Sequence, residues 1–330
     1  MDLNKSSSYV LLNLLQGYTK SAEINERIPD IDVRSIQRAL DRLVNLQLVQ
    51  RNGASNNPTY SIKYENLLGF NIASKLLEDE NRPESSFNHE LIDWFAHKSS
   101  AELTRIVIPQ DTVELHATPI KMTAKDLEYL TVELSWKSSA LEGNTYTLLD
   151  TQLLLTEGIK AKNRTEFETQ MIFNHKDAIS FIVENPELFA NDIAFATVEE
   201  LHKIIGKNLG IANGVRKRVV KISASNYIPL ANPHQLRENA DRILGIINQS
   251  ANPFLKSLLA LCLVPYLQIF EDGNKRTGRM LANAVLISGI GRGFSLRRVS
   301  AKELALAYLA FYEFNSVKAL SRILATELSN

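Results

Sequence analysis

Cysteine is almost absent from this chain of 330 residues, in which Cys262 is the only one. One thiol excludes a framework of internal disulfide bonds, and its place in an apolar run predicts a core residue in a reducing cytoplasm. Long apolar runs are absent too, because the longest, 258–267, is far shorter than the roughly 20 residues of a transmembrane helix. The first residues show no basic region followed by an apolar stretch. We therefore expect a cytoplasmic protein that makes no contact with a membrane.

An excess of charge of either sign is also absent, since 37 acidic residues balance 37 basic ones. The charges are unevenly distributed, however. Residues 201–300 contain fifteen Lys and Arg against four Asp and Glu, an excess of eleven positive charges. This basic segment favours a polyanionic ligand. The hydrophobic content of 45% is ordinary for a globular protein, and the length allows two or three domains.

A polar loop lies within the basic segment, between an apolar run at 257–267 and an apolar helix predicted at 280–287. Residues 268–279 read Gln-Ile-Phe-Glu-Asp-Gly-Asn-Lys-Arg-Thr-Gly-Arg. Gly273 and Asn274 favour a tight turn because both tolerate a positive φ, and a helix is predicted from Arg276 onward. The first turn of a helix presents unpaired backbone N–H groups and the positive end of the macrodipole, so this position favours an anion.

Charged side chains complete this candidate anion site. Lys275, Arg276 and Arg279 add positive charge near the helix start, and Asp272 offers a hard oxygen ligand that suits Mg²⁺. Together these residues predict a cradle for a polyphosphate. The alternative is an ordinary helix N-terminus with solvated basic side chains.

The first 65 residues form a pattern of their own. Three helices and two strands are predicted there, at 8–15, from 21, at 32–46, at 48–51 and at 59–62. In the third helix the buried face is marked by Val33, Ile36, Leu40 and Leu43. This order of elements resembles a winged helix-turn-helix domain.

Polar residues on another face of the third helix suit contacts to phosphates and base edges in a DNA major groove. They are Arg34, Gln37, Arg38 and Arg42. The alternative is a solvated face in a winged helix that docks proteins, favoured by Asp41 and by an excess of only two positive charges over residues 1–64. Because winged-helix regulators commonly bind two half-sites, a homodimer is a further expectation.

Beyond this domain the chain is predicted to be nearly all helical, with short β-like pieces at 103–108 and 219–228. A helix capped by Thr123 is expected to end near Gly143. On this helix Ser138 and Glu142 lie four residues apart and face the same way, so both can contact one partner. Residues 214–229 are predicted to form a basic hairpin that could clamp a nucleotide or dock an extended segment.

Two motifs resemble those of a known family. Residues 268–279 resemble the signature of the Fic (filamentation induced by cAMP) family, His-x-Phe-x-(Asp/Glu)-Gly-Asn-x-Arg-x-x-Arg, and differ from it only at the first position. Residues 138–143 are similar to the motif (Ser/Thr)-x-x-x-Glu-(Gly/Asn), which one class of Fic proteins carries as an inhibitory segment N-terminal to the core. The resemblance implies a mainly α protein with a winged helix-turn-helix and an all-α Fic core that carries a short β-hairpin flap.

The domain organisation that follows has five parts. They are a winged helix-turn-helix domain at 1–65, a connecting segment at 66–122, an inhibitory helix at 123–144, the Fic core at 145–315 and a C-terminal helix at 316–330.

The resemblance also implies an activity, the transfer of AMP from ATP to a hydroxyl of a target protein. It implies that Asp272 holds Mg²⁺ against the α- and β-phosphates. An anion nest would be formed by Gly273, Asn274 and Lys275, beside which Arg276 would bind the phosphates.

Two further residues follow from the same resemblance. Arg279 would hold the γ-phosphate, and Asn283, one helical turn beyond it, would contact the nucleoside. Glu142 would pair with Arg279 and deny the γ-phosphate its productive position, which is autoinhibition by a salt bridge.

The mismatch lies at Gln268, where the family has the His that takes the proton from the attacking hydroxyl. A carboxamide has no pKa near neutrality, so Gln268 can only orient the hydroxyl or hydrogen-bond the phosphate. General-base catalysis typically contributes about 10²- to 10⁴-fold. The cradle is therefore expected to bind ATP, with slow turnover or none.

Three functions remain open on this basis. The first is a regulated Fic-type adenylyltransferase, whole or attenuated. The second is a nucleotide-sensing DNA-binding transcriptional regulator with a catalytically degenerate Fic core. The third is another phosphate reaction on the same loop, such as pyrophosphate release or removal of AMP from a modified protein.

Overall fold

The computed structural model describes residues 3–108 and 122–329. The chain divides into two compact units, each assembled from separated segments. The first unit contains Met1–Lys98, Lys221–Leu230 and Lys302–Leu320, and the second contains Ser99–Val220, Ala231–Ala301 and Ser321–Asn330. The part of the predicted connecting segment at 109–121 lies outside the described residues.

The first unit begins with helices and a small sheet in the predicted order. These elements are α1 (Lys5–Leu15), α2 (Ser21–Arg27), α3 (Val33–Asn45), β1 (Val49–Asn52) and β2 (Thr59–Ile62). The two strands are antiparallel. Helix α3 begins after Asp32, whose carboxylate accepts a hydrogen bond of 3.0 Å from the backbone N–H of Ser35.

The buried face of α3 agrees with the sequence pattern except at its first residue. Ile36, Leu40 and Leu43 are fully buried in the core of the first unit. Val33, in contrast, is 57% exposed. It is the first residue after the N-cap, where the helix has not yet reached the core, so its assignment to the buried face was wrong.

The remaining elements of the first unit are short, apart from one long C-terminal helix. They are α4 (Tyr64–Leu67), α5 (Ser74–Leu77), β3 (Ser85–Ser86), α6 (His89–Ala96), β4 (Tyr227–Ile228) and α16 (Ala301–Phe314). Leu309 and Phe314 of α16 join the same hydrophobic core as α1 and α3.

The segment predicted as a hairpin at 214–229 contains one described strand, β4, which pairs in parallel with β3. The pairing differs from that of a hairpin because a buried carboxylate holds the chain just before β4. Glu313 accepts hydrogen bonds from the hydroxyl of Ser225 at 2.8 Å and from the backbone N–H of Asn226 at 3.0 Å. These bonds direct the following residues toward β3.

The second unit is helical. Its elements are α7 (Ser100–Val107), α8 (Ala124–Ala140), α9 (Leu148–Glu157), α10 (Glu166–Glu184), α11 (Glu187–Ala190), α12 (Phe195–Gly206), α13 (Pro233–Gln249), α14 (Pro253–Leu267), α15 (Asn274–Ile290) and α17 (Lys318–Leu328), which enters this unit at Ser321.

The prediction of a mainly α fold is confirmed. The β-like piece expected at 103–108 was wrong, because Ser99 and Glu102 form a capping box that starts α7 instead. Within the described residues, no helix combines the length and the apolar character needed to cross a membrane.

Helices α14 and α15 pack closely and place the 268–273 loop between their ends. Gly278 makes this approach feasible, because a Cβ atom there would lie 2.7 Å from Cγ of Pro265 and 3.3 Å from the carbonyl oxygen of Ala260. Every residue of α14 from Phe254 to Leu267 is buried. The loop is therefore supported by a rigid pair of helices.

Candidate functional site

Two left-handed residues bracket the candidate loop. Helix α14 ends at Gln268, which has a φ of 52°, and α15 begins after Gly273, which has a φ of 78°. A left-handed conformation is uncommon for a residue other than Gly, so the backbone at Gln268 is constrained by its surroundings. Among the residues that the structure describes, no side chain caps the start of α15, so the N–H groups of its first turn are available to a ligand.

The side chain of Asn274 braces the loop from within. Its amide oxygen accepts a hydrogen bond of 3.0 Å from the backbone N–H of Phe270, and its amide nitrogen donates one of 2.8 Å to the carbonyl of Phe270. Asn274 is buried. Of the residues predicted to form the anion nest, it therefore contributes its backbone at the helix start, while its side chain maintains the loop conformation.

Arg276 has a buried guanidinium group with unused hydrogen-bond donors. Its side chain is only 3% exposed, and one guanidinium nitrogen lies 2.8 Å from a carboxylate oxygen of Asp272. Its Nε and Nη1 atoms are buried and have no hydrogen-bond partner among the described residues. A buried cation with unused donors is costly unless an anion pairs with it, so this position is suited to a phosphate.

Gln268 turns its amide toward the protein. The amide nitrogen donates a hydrogen bond of 2.6 Å to the carbonyl of Pro265, and the amide oxygen accepts one of 3.2 Å from Asn274. Both ends of the side chain are thus used by the end of α14 and the start of α15. In this conformation Gln268 acts as a structural tie.

Arg216 contacts this loop, although it was not among the predicted site residues. It is buried, and its backbone N–H donates a hydrogen bond of 2.9 Å to the carbonyl of Ile269. Its Nε donates to the carbonyl of Gln268 at 2.5 Å. Its place in the basic segment predicted as a hairpin was the sequence signal, but a contact across 52 residues is visible only in the fold.

His202, on α12, supports the loop from beneath. Its ring stacks on Phe270 with centroids 3.7 Å apart, and its Nε2 lies 2.9 Å from the carbonyl oxygen of Asp272. A carbonyl can only accept, so Nε2 carries the hydrogen. Burial lowers the pKa of His202, which keeps the ring neutral.

The fold brings the end of α8 to the same loop. A carboxylate oxygen of Glu142 lies 2.8 Å from a guanidinium nitrogen of Arg279, across 137 residues of chain. Its other oxygen lies 3.6 Å from Nζ of Lys275. Ser138 also contacts Arg279, through its hydroxyl at 3.0 Å from Nε and its carbonyl at 3.1 Å from Nη2. These contacts unite the two motifs in one site.

The charge of Glu142 is determined by opposing effects. Burial by itself raises the pKa of this carboxyl, but the positive charges of Arg279 and Lys275 outweigh burial and leave the pKa below its ordinary value. Glu142 is therefore a carboxylate at neutral pH, and it neutralises part of the positive charge that surrounds the loop.

Asn283 lies away from the open side of the loop. It is fully buried, its amide nitrogen donates to the carbonyl of Arg279 at 3.0 Å, and its oxygen accepts from the backbone N–H of Phe294 at 2.8 Å. The predicted contact with a nucleoside stays a prediction. In this structure Asn283 fastens the segment after α15 to the helix that carries Arg279.

The candidate DNA-contacting residues all lie on α3 of the first unit, in differing environments. Arg34 and Arg38 are exposed, whereas Arg42 is half-buried. Gln37 donates hydrogen bonds to Asp41 at 3.2 Å and to the hydroxyl of Tyr60 at 3.3 Å. The two exposed arginines are therefore the accessible part of the predicted stripe.

Comparison with known proteins identifies the class of domain that contains this site. Residues 192–286 match the sequence model of the Fic/DOC family. The match includes α12, the 268–273 loop and most of α15, so the candidate loop lies within the part of the chain that is similar to this family.

Two proteins with similar sequences are named protein adenylyltransferases. The chain is 22% identical to protein adenylyltransferase fic-1 of Caenorhabditis briggsae over 52% of this chain and 34% of that protein. It is 24% identical to protein adenylyltransferase Fic of Nematostella vectensis over 51% of this chain and 40% of that protein. The match thus spans less than half the length of these relatives.

Solved structures share the fold. Fic-1 from C. elegans superposes with a TM-score of 0.52 at 20% identity, over 73% of this chain and 67% of that one. A Fic domain containing signaling protein from Bacteroides thetaiotaomicron superposes with a TM-score of 0.50 at 19% identity, over 70% of this chain and 94% of that one.

Proposed function

We propose that the 268–273 loop and the first turn of α15 bind ATP together with Mg²⁺, and that Glu142 restrains this site. The observation that carries the proposal is Arg276, whose Nε and Nη1 are buried without a partner among the described residues. No side chain of the described part of the chain caps the helix start beside it. A phosphate group would satisfy both the guanidinium and the backbone N–H groups.

The residues of the loop fit a magnesium ion that arrives with its nucleotide. Over residues 3–108 and 122–329, no group of three or more His, Cys, Asp or Glu side chains could hold a metal ion. Mg²⁺ is commonly held by one or two carboxylates and the phosphates of its nucleotide. Asp272, whose side chain is 67% exposed, would supply the carboxylate. Arg276 would then turn from Asp272 to the phosphates.

Restraint of the site follows from the pairing of Glu142. In the proposal, Arg279 holds the γ-phosphate of ATP, and Glu142 competes for the same guanidinium. The distance of 2.8 Å between them and the charged state of Glu142 support this competition. AMP, which has no γ-phosphate, would not require Arg279.

The reaction we propose is a slow transfer of AMP to a hydroxyl of a target protein. The names of the related adenylyltransferases support this class of reaction. The attacking hydroxyl must lose a proton, and Gln268 cannot accept one. Its amide is also engaged with Pro265 and Asn274. We therefore expect an attenuated rate.

Labelled ATP and Mg²⁺ test both binding and transfer. We expect the wild type to transfer little label, Glu142→Gly to transfer more, and Glu142→Gly combined with Gln268→His to gain about 10²- to 10⁴-fold over Glu142→Gly. Arg276→Ala is the control that should lose ATP binding. An absence of ATP binding by Glu142→Gly would contradict the whole proposal, and an absence of label in every variant would contradict transfer alone.

A second candidate function is a nucleotide-sensing DNA-binding regulator with a catalytically degenerate core. Exposed Arg34 and Arg38 on α3 favour this function, because exposed arginines on a third helix can reach phosphates and base edges. The inward amide of Gln268 favours it too, because nucleotide binding needs no proton acceptor.

A DNA titration with and without ATP tests the second function. Binding should weaken as salt rises, because phosphate contacts release counterions. Arg34→Ala combined with Arg38→Ala should lower the affinity, whereas Lys160→Ala, an exposed change in the second unit, should not. DNA binding that ignores both salt and ATP would count against this function.

A further inference from the structure

His175 lies behind the inhibitory segment and is not part of either motif. It belongs to α10 and is fully buried. Its Nδ1 lies 2.7 Å from the carbonyl oxygen of Met171, and its Nε2 lies 2.8 Å from the hydroxyl oxygen of Ser138. Burial lowers the pKa of this imidazole to about 3. The ring is therefore neutral at physiological pH and carries a hydrogen on only one of its two nitrogens.

The partners of His175 decide which nitrogen carries that hydrogen. A carbonyl oxygen only accepts, so Nδ1 is the donor toward Met171, and the hydroxyl of Ser139, 3.2 Å from Nδ1, can share this hydrogen. Nε2 is left with a lone pair. The hydroxyl of Ser138 must then donate its hydrogen to Nε2.

The direction of this bond determines what Ser138 can offer to Arg279. Once its hydrogen points to His175, the hydroxyl oxygen of Ser138 presents lone pairs on its other side. Nε of Arg279 donates to that oxygen at 3.0 Å, and Nη2 donates to the carbonyl of the same residue at 3.1 Å. Arg279 is thus held by Ser138 as well as by Glu142.

We propose that His175 is a positioning residue, which orients the hydroxyl of Ser138 so that Ser138 retains Arg279 independently of Glu142. The inference rests on the proposed function, in which Arg279 must be released to bind a γ-phosphate. It predicts a restraint with two parts. Loss of Glu142 removes only one part, and the second part persists until the pairing of His175 with Ser138 is broken.

Two substitutions of His175 separate positioning from simple packing. His175→Gln places an acceptor near the position of Nε2, whereas His175→Asn places its amide near Nδ1 and leaves Ser138 without an acceptor. Both are neutral amides, so they are matched in polarity. We expect His175→Gln to preserve the restraint and His175→Asn to weaken it.

The first measurement is the ratio of ATP to AMP affinity, by calorimetry on the full chain in Glu142→Gly. Adding His175→Asn or Ser138→Ala should each raise this ratio by about tenfold, the effect expected when one charge-assisted hydrogen bond is lost. The two changes together should give no more than either one. His175→Gln should leave the ratio within about twofold.

The second measurement is independent of nucleotide binding. In the wild type, the ¹⁵N NMR signals of His175 should show a hydrogen on Nδ1 and a lone pair on Nε2. The Nε–H signal of Arg279 should shift in His175→Asn and in Ser138→Ala, but not in His175→Gln.

These two measurements distinguish failure of the inference from failure of the proposed function. If Glu142→Gly leaves the ratio of ATP to AMP affinity unchanged, the proposed restraint is wrong. The NMR signals test the role of His175 in that case too. A hydrogen on Nε2 of His175, or an Arg279 signal that ignores His175→Asn, would overturn the inference.

Discussion

Arg82–Glu313 in the first unit and Arg279–Glu142 in the second are both ion pairs with a buried guanidinium, but their carboxylates differ. The side chain of Glu313 is fully buried, and it also accepts hydrogen bonds from Ser225 and Asn226. The side chain of Glu142 is 18% exposed, and its second oxygen lies 3.6 Å from Nζ of Lys275.

The difference in burial indicates that the two ion pairs have different roles. A fully buried ion pair is costly to break, because removal of one partner leaves a buried charge without its counter-charge. A pair with an exposed edge can open at lower cost. We therefore interpret Arg82–Glu313 as a permanent connection within the first unit and Arg279–Glu142 as a contact that can be exchanged for a ligand.

The largest expected effect is on the pair of the first unit. Glu313→Ala would leave Arg82 buried without its carboxylate and should lower the free energy of unfolding by about 3–5 kcal/mol. Chemical denaturation followed by circular dichroism measures this loss. Glu78→Ala, which removes the exposed pair with Lys302, is the matched control and should cost less than about 1 kcal/mol. Equal effects from the two variants would refute the distinction.

A smaller effect is expected at Glu168, which connects α10 to the segment just after residues 138–143. Its carboxylate accepts hydrogen bonds from the backbone N–H groups of Thr145 and Thr165, both at 2.9 Å. In Glu168→Gln one of the two accepting oxygens becomes an amide nitrogen, which can only donate, so the bonds from one of the two threonines are lost. This loss should cost about 1–2 kcal/mol at neutral pH, after allowance for solvent.

The pH dependence of this cost has a definite sign. The hydrogen bond from the hydroxyl of Thr145, followed by that from the backbone of Thr165, lowers the pKa of Glu168 to about 2 from the ordinary 4.5. A lowered pKa stabilises the folded state above pH 4.5, and this contribution is lost as pH falls toward 2. The difference in unfolding free energy between wild type and Glu168→Gln should therefore shrink across that range. A constant difference would contradict this assignment.

The smallest effect on stability is expected at Glu142. In Glu142→Gln, Arg279 keeps both contacts with Ser138, so the free energy of unfolding should change by no more than about 1 kcal/mol. Affinity for ATP should rise by at least about fivefold while affinity for AMP stays the same. Thermal unfolding and calorimetry on the same samples measure the two quantities. A loss of stability as large as that of Glu313→Ala would mean that this pair is structural as well.

Much of this protein was predictable from local patterns. The helix start after Asp32, the turn at Gly273 and the helical character of the second unit follow from caps, turn residues and apolar spacing, which act over a few residues. The burial predicted for Val33 and the strand expected at 103–108 were wrong, because a local pattern does not decide either of them. Burial at a helix end and a capping box at Ser99 both override a short apolar pattern.

The candidate site was predictable only in part. The charges at Arg276 and Arg279 were evident from the loop, and the pairing of Glu142 with Arg279 was expected from the resemblance of two motifs. The roles of Arg216, His175 and Asn283 had no such signal. Each acts through contacts with residues distant in sequence or with backbone atoms, which a residue type does not reveal.

The sequence by itself determined the kinds of groups available: a helix start after a Gly-Asn turn, three basic side chains around it, and a Gln where a proton acceptor would be needed. Only the tertiary structure decided which of these groups form hydrogen bonds within the protein and which remain able to bind a ligand. It turned the amide of Gln268 inward, left two nitrogens of Arg276 unpaired among the described residues, and enclosed His175 behind Ser138. The physical reason is that hydrogen bonds have direction, and direction is established only when distant segments pack together.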